Sequence, residues 1–279
     1  MTDTLQVQGE FAPAESSFAA ETLAAAVVAD AAADAVTAEP NGFIELGLAP
    51  ELVQAVADLG YTQPTSVQLK AIPLAMGSGN DSTSFIDLMV SSQTGSGKTA
   101  AFLLPVLHTL IQQQAAAEAE ERAAFERAVA EAAARGEPAP KRAKRKDPTN
   151  SRNFKAATPG ALILCPTREL AQQVAHDAID LVKHCRGLRV ANVVGGMPYQ
   201  LQIAKLQNAN LVVATPGRLL DLQRSMQIKL DKVQFLVVDE ADRMLDLGFS
   251  DDLAELNQLT AQRKQTMMFS ATFAPRIQQ

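Results

Sequence analysis

The chain has 279 residues, 47% of them hydrophobic, which is enough for one large or two small globular domains with a substantial core. Its formal charge of -6 resides in residues 1–41, where seven acidic residues (Asp3, Glu10, Glu15, Glu21, Asp30, Asp34 and Glu39) stand with no Lys or Arg; without them the charge is +1, so an anionic partner needs only a local basic surface. Two cysteines, Cys165 and Cys185, and three histidines, His108, His176 and His184, show no ligand spacing and exclude a zinc ribbon or a disulfide framework, while the apolar stretch 22–29, flanked by Glu21 and Asp30, excludes a secretory signal or a membrane span.

A cytoplasmic protein in a reducing compartment is therefore expected. Residues 1–41 are Ala-rich with only Phe11 and Phe18 as aromatics, so they bury too little apolar surface to offset ordering entropy. They read as a disordered tail, the alternative being a short Ala-driven helix near 19–35. From Asn41 onward, buried strands are predicted at 86–91, 161–165, 190–194, 211–214, 235–239 and 266–269. Helices of crossover length are predicted near 98–111, 168–184, 198–207, 216–226 and 250–259, and this alternation gives an α/β fold with a parallel sheet covered on both faces.

The segment at about 112–157 breaks the rhythm and reads as an insertion. It opens on an Ala/Glu tract, passes Gly136-Glu137-Pro138 and reaches Lys141-Arg142-Ala143-Lys144-Arg145-Lys146. That basic run serves either to follow a phosphate backbone or to keep a linker solvated. A polar loop at 77–84 is a second, smaller departure from a minimal domain.

The first chemical signal is Ser92-Gln93-Thr94-Gly95-Ser96-Gly97-Lys98-Thr99, after an apolar strand and at the head of an Ala- and Leu-rich helix. Small residues let backbone N–H groups approach phosphates, Lys98 can neutralise the β and γ oxygens, and Thr99 can ligate magnesium. Ser92 stands where the general phosphate-loop pattern has its first glycine. The second signal is Asp239-Glu240-Ala241-Asp242, at the carboxyl end of the strand at 235–239. Carboxylates there face the ligand crevice of a parallel sheet. Asp239 would hold magnesium through its water shell, and Glu240 would orient or deprotonate the water that attacks the γ-phosphorus.

Between and around these elements, residues 43–272 resemble the DEAD-box ATP-dependent RNA helicases, specifically the first RecA-like domain of that family. Asp239-Glu240-Ala241-Asp242 matches the motif that names the family, and Ser270-Ala271-Thr272 matches its coupling motif. Gly60-Tyr61-Thr62-Gln63-Pro64-Thr65-Ser66-Val67-Gln68, with Phe43 ahead of it, resembles the adenine-recognition motif. The Gln68 amide offers donors and an acceptor side by side, matching N6 and N7 of adenine and making ATP the expected nucleotide. Phe43 and Tyr61 either contact the base or belong to the core.

The resemblance also implies RNA backbone contacts from Pro166, Thr167 and Arg168, from Gly195 and Gly196, and from Thr215, Pro216, Gly217 and Arg218. Arg168 and Glu169 have an alternative reading as an internal ion pair that shapes the groove. Asp242, Ser270 and Thr272 would link the nucleotide state to a second RecA-like domain. The sequence ends seven residues after Thr272. That leads to the expectation of a monomeric domain that binds ATP and Mg2+ without robust turnover or unwinding, because the family's second domain supplies arginines to the γ-phosphate. A phosphate-loop kinase or transport ATPase would lack the Gln68 and Ser270-Ala271-Thr272 elements. A non-catalytic RNA-binding scaffold is the remaining alternative.

Overall fold

Six short β-branched and aliphatic runs hydrogen-bond into one all-parallel sheet of order β1-β6-β5-β2-β4-β3. The strands are β1 (Leu88–Ser91), β2 (Ala161–Leu164), β3 (Val190–Val193), β4 (Leu211–Ala214), β5 (Phe235–Val238) and β6 (Gln265–Ser270). A computed structural model describes residues 41–77, 85–93, 97–144, 146–147 and 150–272. The expectations for the acidic tail, for 78–84, for Thr94, Gly95 and Ser96, and for the end of the chain at 273–279 lie outside the described residues.

Alternation along the central strands distributes side chains to two cores, as a sheet buried on both faces requires. Ala161, Ile163, Leu211, Val213, Phe235, Val237, Met267 and Phe269 face one layer. Leu162, Leu164, Val212, Ala214, Leu236 and Val238 face the other. The first layer is covered by α1 (Pro50–Asp58), α2 (Ser66–Met76), α3 (Lys98–Ala134) and α4 (Arg168–Leu181). The second is covered by α5 (Tyr199–Leu206), α6 (Pro216–Arg224), α7 (Ala241–Asp246) and α8 (Ser250–Leu259). No helix among the described residues is long and apolar enough to cross a membrane.

The strands fall within two residues of the expected bounds, whereas the helices differ in two respects. Helices α1, α2 and α7 were not expected as separate elements; α1 buries Leu52, Ala55 and Val56 at helical spacing, a stripe three residues long. Helix α3 does not stop near 111 but runs for 37 residues to Ala134. The Ala/Glu/Arg tract after Gln112 has high helix propensity and contains no Gly or Pro before Gly136, so nothing in it ends the helix. His108, on the buried part of α3, accepts the Ala49 N–H through Nδ1 at 2.9 Å and so ties α3 to the start of α1. Burial pulls its imidazole below the ordinary value, consistent with the neutral ring that this acceptor role needs.

Candidate active site

Because every strand runs the same way, the loops that leave their carboxyl ends gather at one edge. The strand order divides that edge in two. Lys98, Asp239, Glu240 and Thr272 follow β1, β5 and β6, which are neighbours, and Ser270 ends β6, while Pro166, Gly195 and Thr215 follow β2, β3 and β4, also neighbours. The switch between halves lies between β5 and β2, where Val238 pairs with Leu164.

The first half is organised around one buried cation. Lys98 opens α3 and places Nζ 3.0 Å from Asp239 Oδ1 and 3.5 Å from Glu240 Oε1, across 142 residues of sequence in the latter case. Asp239 is fully buried, and its N–H still continues the ladder to Leu164 O at 2.9 Å, one residue past the end of β5. Glu240 then takes a left-handed backbone (φ 50°, ψ 54°), rare for a side-chain-bearing residue, which turns the chain into α7 at a cost of about 1–2 kcal/mol. Its other oxygen accepts from Arg243 at 3.4 Å, one helical turn on.

Burial raises the Asp239 carboxyl above its ordinary value, with the Lys98 charge only partly opposing it. Burial also pulls Lys98 down, but Asp239 and Glu240 together hold it above its ordinary value, so the ammonium stays charged. Neither Asp239 oxygen meets a hydrogen-bond partner of good geometry, leaving Lys98 to offset the buried charge. A buried, under-satisfied carboxylate held by Lys98, with the buried Thr99 next along the head of the helix, offers hard-oxygen donors of the kind that suit magnesium. Ser92 is buried and its N–H donates to Ser270 O at 3.0 Å, while Gln93 is exposed.

Gln68 is joined to this cluster through the backbone of the loop. Thr65 and Gln68 form a capping box: the Gln68 amide oxygen accepts the Thr65 N–H at 3.0 Å, and the Gln68 N–H reaches the Thr65 hydroxyl at 3.4 Å. The Gln68 amide nitrogen donates to Gly97 O at 3.1 Å, adjacent to Lys98. Phe43 packs in the core, and Tyr61 is half-buried against the same cluster.

Gly97 has φ +80°, and a Cβ there would lie 2.6 Å from Gln68 Nε2 and 2.8 Å from Thr65 Oγ1. Gly97→Ala is therefore expected to lose about 1–2 kcal/mol from the left-handed backbone alone, and to displace Gln68 as well. Urea denaturation of the variant, with and without nucleotide, checks both effects.

On the second half of the edge, several candidate groups are already engaged within the protein. Thr167 caps α4 by accepting the Leu170 N–H at 3.3 Å. Exposed Arg168 lies 3.7 Å from Glu169 and rests against Gly196, whose φ of +81° and absent Cβ leave that space: a Cβ would stand 2.6 Å from the guanidinium. Arg218 donates to Met197 O at 3.2 Å and to Gln202 Oε1 at 3.0 Å, and lies over the Tyr199 ring at 5.8 Å. Gln202 in turn donates to Val194 O. The glycine loop is thereby held from both sides, with Gly195, Gly196 and Gly217 left exposed and Pro166 and Pro216 buried beneath.

The coupling residues meet across 28 to 30 positions of sequence: Asp242 N–H donates to Ser270 Oγ at 3.3 Å and Thr272 Oγ1 donates to Asp242 Oδ2 at 3.2 Å. Desolvation acts to raise the Asp242 carboxyl, but hydrogen bonds from Arg243 N–H, Ser270 and Thr272 outweigh it and hold it below its ordinary value. Sequence reasoning missed Arg243, Gln202 and the capping role of Thr65. The last was legible, since Thr65-Ser66-Val67-Gln68 spells a capping box. Arg243 sits at i+3 from Glu240, a weaker cue, and Gln202 carries no local signal.

A doubly covered parallel sheet with a lysine at a helix head facing an acidic pair on a neighbouring strand end defines a RecA-like phosphate-loop domain. Comparison with known proteins narrows this class. The family model for DEAD/DEAH box helicases matches residues 65–279, and the chain belongs to that family.

Among curated relatives, DEAD-box ATP-dependent RNA helicase 52A of Oryza sativa subsp. japonica is 38% identical over 244 residues, spanning 85% of this chain and 35% of the relative. ATP-dependent RNA helicase SrmB of Escherichia coli is 37% identical over 231 residues, spanning 82% and 42%. A DEAD box protein from the hyperthermophile Methanococcus jannaschii superposes with a TM-score of 0.61 at 30% identity, over 85% of this chain and 52% of that one. The chain thus spans roughly a third of the length of the curated relatives it matches, 35%, 38% and 25% for three of them.

Proposed function

We propose that residues 42–279 are the first RecA-like domain of a cytoplasmic ATP-dependent RNA helicase, with the segment at about 112–157 inserted in it and residues 1–41 outside it. The observation that carries this reading is the convergence of Lys98, Asp239 and Glu240 within 3.0 and 3.5 Å, with Gln68 bonded to the residue before Lys98. ATP is the nucleotide this arrangement suits. The Gln68 amide spends one lone pair on Thr65 and one hydrogen on Gly97, leaving one acceptor and one donor position for the adenine edge.

On nucleotide binding, Lys98 exchanges Asp239 and Glu240 for the β and γ phosphate oxygens, which also meet the amino end of α3. Thr99 and Asp239 would hold magnesium, which when bound supplies charge neutralisation at the γ-phosphate. Glu240, released by Lys98 but still paired with Arg243, accepts a proton from the attacking water. Thr215, Gly217, Arg168 and the Gly195-Gly196 loop offer a hydroxyl, bare N–H groups and a guanidinium to an RNA backbone. Asp242, Ser270 and Thr272 transmit the nucleotide state to a second RecA-like domain in the whole protein.

The domain by itself binds nucleotide as a monomer without unwinding, because an arginine supplied from a second domain accounts for about 10³–10⁵ in rate in comparable phosphoryl transfers. Calorimetric titration with ADP and AMP against GMP tests the reading. Adenine nucleotides are expected to bind more tightly by about tenfold or more, the worth of a good bidentate base contact. A guanine preference would overturn the role of Gln68 and with it the ATP specificity.

A further inference from the structure

Helix α3 outruns the sheet it packs on. Apart from Ala132, its buried residues end at Leu110. Beyond them, Gln113 donates to Gln234 Oε1 just ahead of β5 at 2.7 Å, and Gln114 donates to Arg186 O just ahead of β3 at 2.9 Å. These contacts mark where α3 passes the amino edge of the sheet, opposite the edge where Lys98 begins it. The helix after Gln114 extends about 30 Å farther at 1.5 Å per residue.

On this projection Phe125, Val129 and Ala132 fall at i, i+4 and i+7 and are withdrawn from solvent. The returning chain lies back along that stripe. Glu137 N–H donates to Ala132 O at 2.9 Å, and the Arg142 guanidinium sits 5.1 Å over the Phe125 ring. The sequence 141–146 contains five Lys or Arg and no acid. Of these, Lys141, Arg142, Lys144 and Lys146 are exposed, and none forms an ion pair among the described residues. Two acids of the arm are engaged within it: Glu120 pairs with Arg127 at 2.9 Å and Glu137 with Arg135 at 3.7 Å.

We infer that this arm is a second nucleic-acid contact, a tether that holds the phosphate backbone of RNA on the side of the domain opposite the candidate active site. A dense run of uncompensated cations on extended chain gains affinity from a polyanion by counterion release, without reading bases. A protein partner would instead require apolar or aromatic anchors to fill a pocket. Along the arm helix Phe125 and Val129 are half-buried and Ala132 is buried, with Arg142 over the Phe125 ring, so that face presents no fully exposed anchor. The inference rests on RNA as the ligand class proposed above but uses none of the residues of that site.

The test compares the full chain with a variant carrying Lys141→Gln, Arg142→Gln, Lys144→Gln and Lys146→Gln, and with one in which Lys and Arg are exchanged at the same four positions. Fluorescence anisotropy with a single-stranded oligouridylate of about 40 nucleotides, roughly 136 Å at 3.4 Å per nucleotide, reads binding over a salt series. The glutamine variant is expected to bind more than about tenfold more weakly at low salt, and its slope of log K against log salt flattens by about 3, or 0.7 for each cation removed. The variant with Lys and Arg exchanged, which keeps every charge, keeps the native affinity and slope.

Unchanged RNA affinity and slope in the glutamine variant would sink the tether. So would a native chain that binds polyglutamate rather than RNA in an arm-dependent way, or one that binds no RNA. The assay contains no nucleotide, so a failed adenine preference leaves its outcome readable. A native adenine preference in the glutamine variant shows that the domain remains folded.

Discussion

Glu240→Gln is expected to lower ATP turnover of the RNA-saturated whole protein by about 10²–10⁴-fold, the usual worth of a positioned general base, with nucleotide affinity nearly unchanged. Glutamine keeps the size of the side chain and an oxygen that can still accept from Arg243. It cannot take a proton from water. The Lys98–Asp239 contact at 3.0 Å does not involve Glu240, so the phosphate end of the site persists. Single-turnover hydrolysis alongside equilibrium binding separates the two quantities. Turnover within tenfold of native would assign water activation to another group.

Lys98→Ala is expected to cost about 3 kcal/mol of folding stability at neutral pH, toward the low end for a broken buried pair because the lysine side chain keeps 10% exposure. It leaves Asp239 fully buried with no cation. The same change removes the charge that would meet the phosphates, so nucleotide binding weakens as well. The pH dependence gives the cause away. A carboxyl whose folded value is raised above its unfolded 3.8 contributes stability that is fully present below 3.8 and lost as pH rises through the folded value. Without Lys98 the folded value rises further, so the deficit of the variant shrinks as the buffer is acidified from neutrality toward 3.8. Adding Asp239→Asn to Lys98→Ala removes the buried charge and recovers part of the stability at neutral pH. Denaturant melts of the single and double variants at neutral and mildly acidic pH distinguish this from a simple cavity, which would show no such pH dependence.

Much of this arrangement is written locally in the chain. Strand bounds follow from runs such as Leu211–Ala214 and Phe235–Val238, whose aliphatic side chains have no use except burial on both faces. The head of α3 is equally legible, because Gly97, Lys98 and Thr99 leave little else for that turn to do. The length of α3 was legible only in part: the Ala/Glu/Arg tract favours a helix and has no Gly or Pro before Gly136, but that its far end is packed rather than free depends on contacts such as Phe125 meeting Arg142. Long-range pairings were out of reach for the same reason. Arg218 has the composition of a phosphate ligand but is held by Met197 O and Gln202, and only the packing of α5 beside α6 shows it. Gln68 carries a second role for a similar reason, since its bond to Gly97 O depends on how α2 docks against the phosphate loop.

The place of β1 in the sheet has a consequence for how the chain acquires its shape. Among the described residues Leu88–Ser91 pairs with β6 alone, Leu88 opposite Met267 and Ser91 opposite Ser270, so a ribosome must deliver nearly the whole domain before β1 finds a neighbouring strand. Parallel partners so distant along the polypeptide join slowly. During synthesis β2 to β5 can assemble as a central block while the strand leading to Lys98 waits as an unpaired edge, a state open to association with other chains. Closure of β6 into the gap between β1 and β5 then completes the sheet and the nucleotide crevice in one late step.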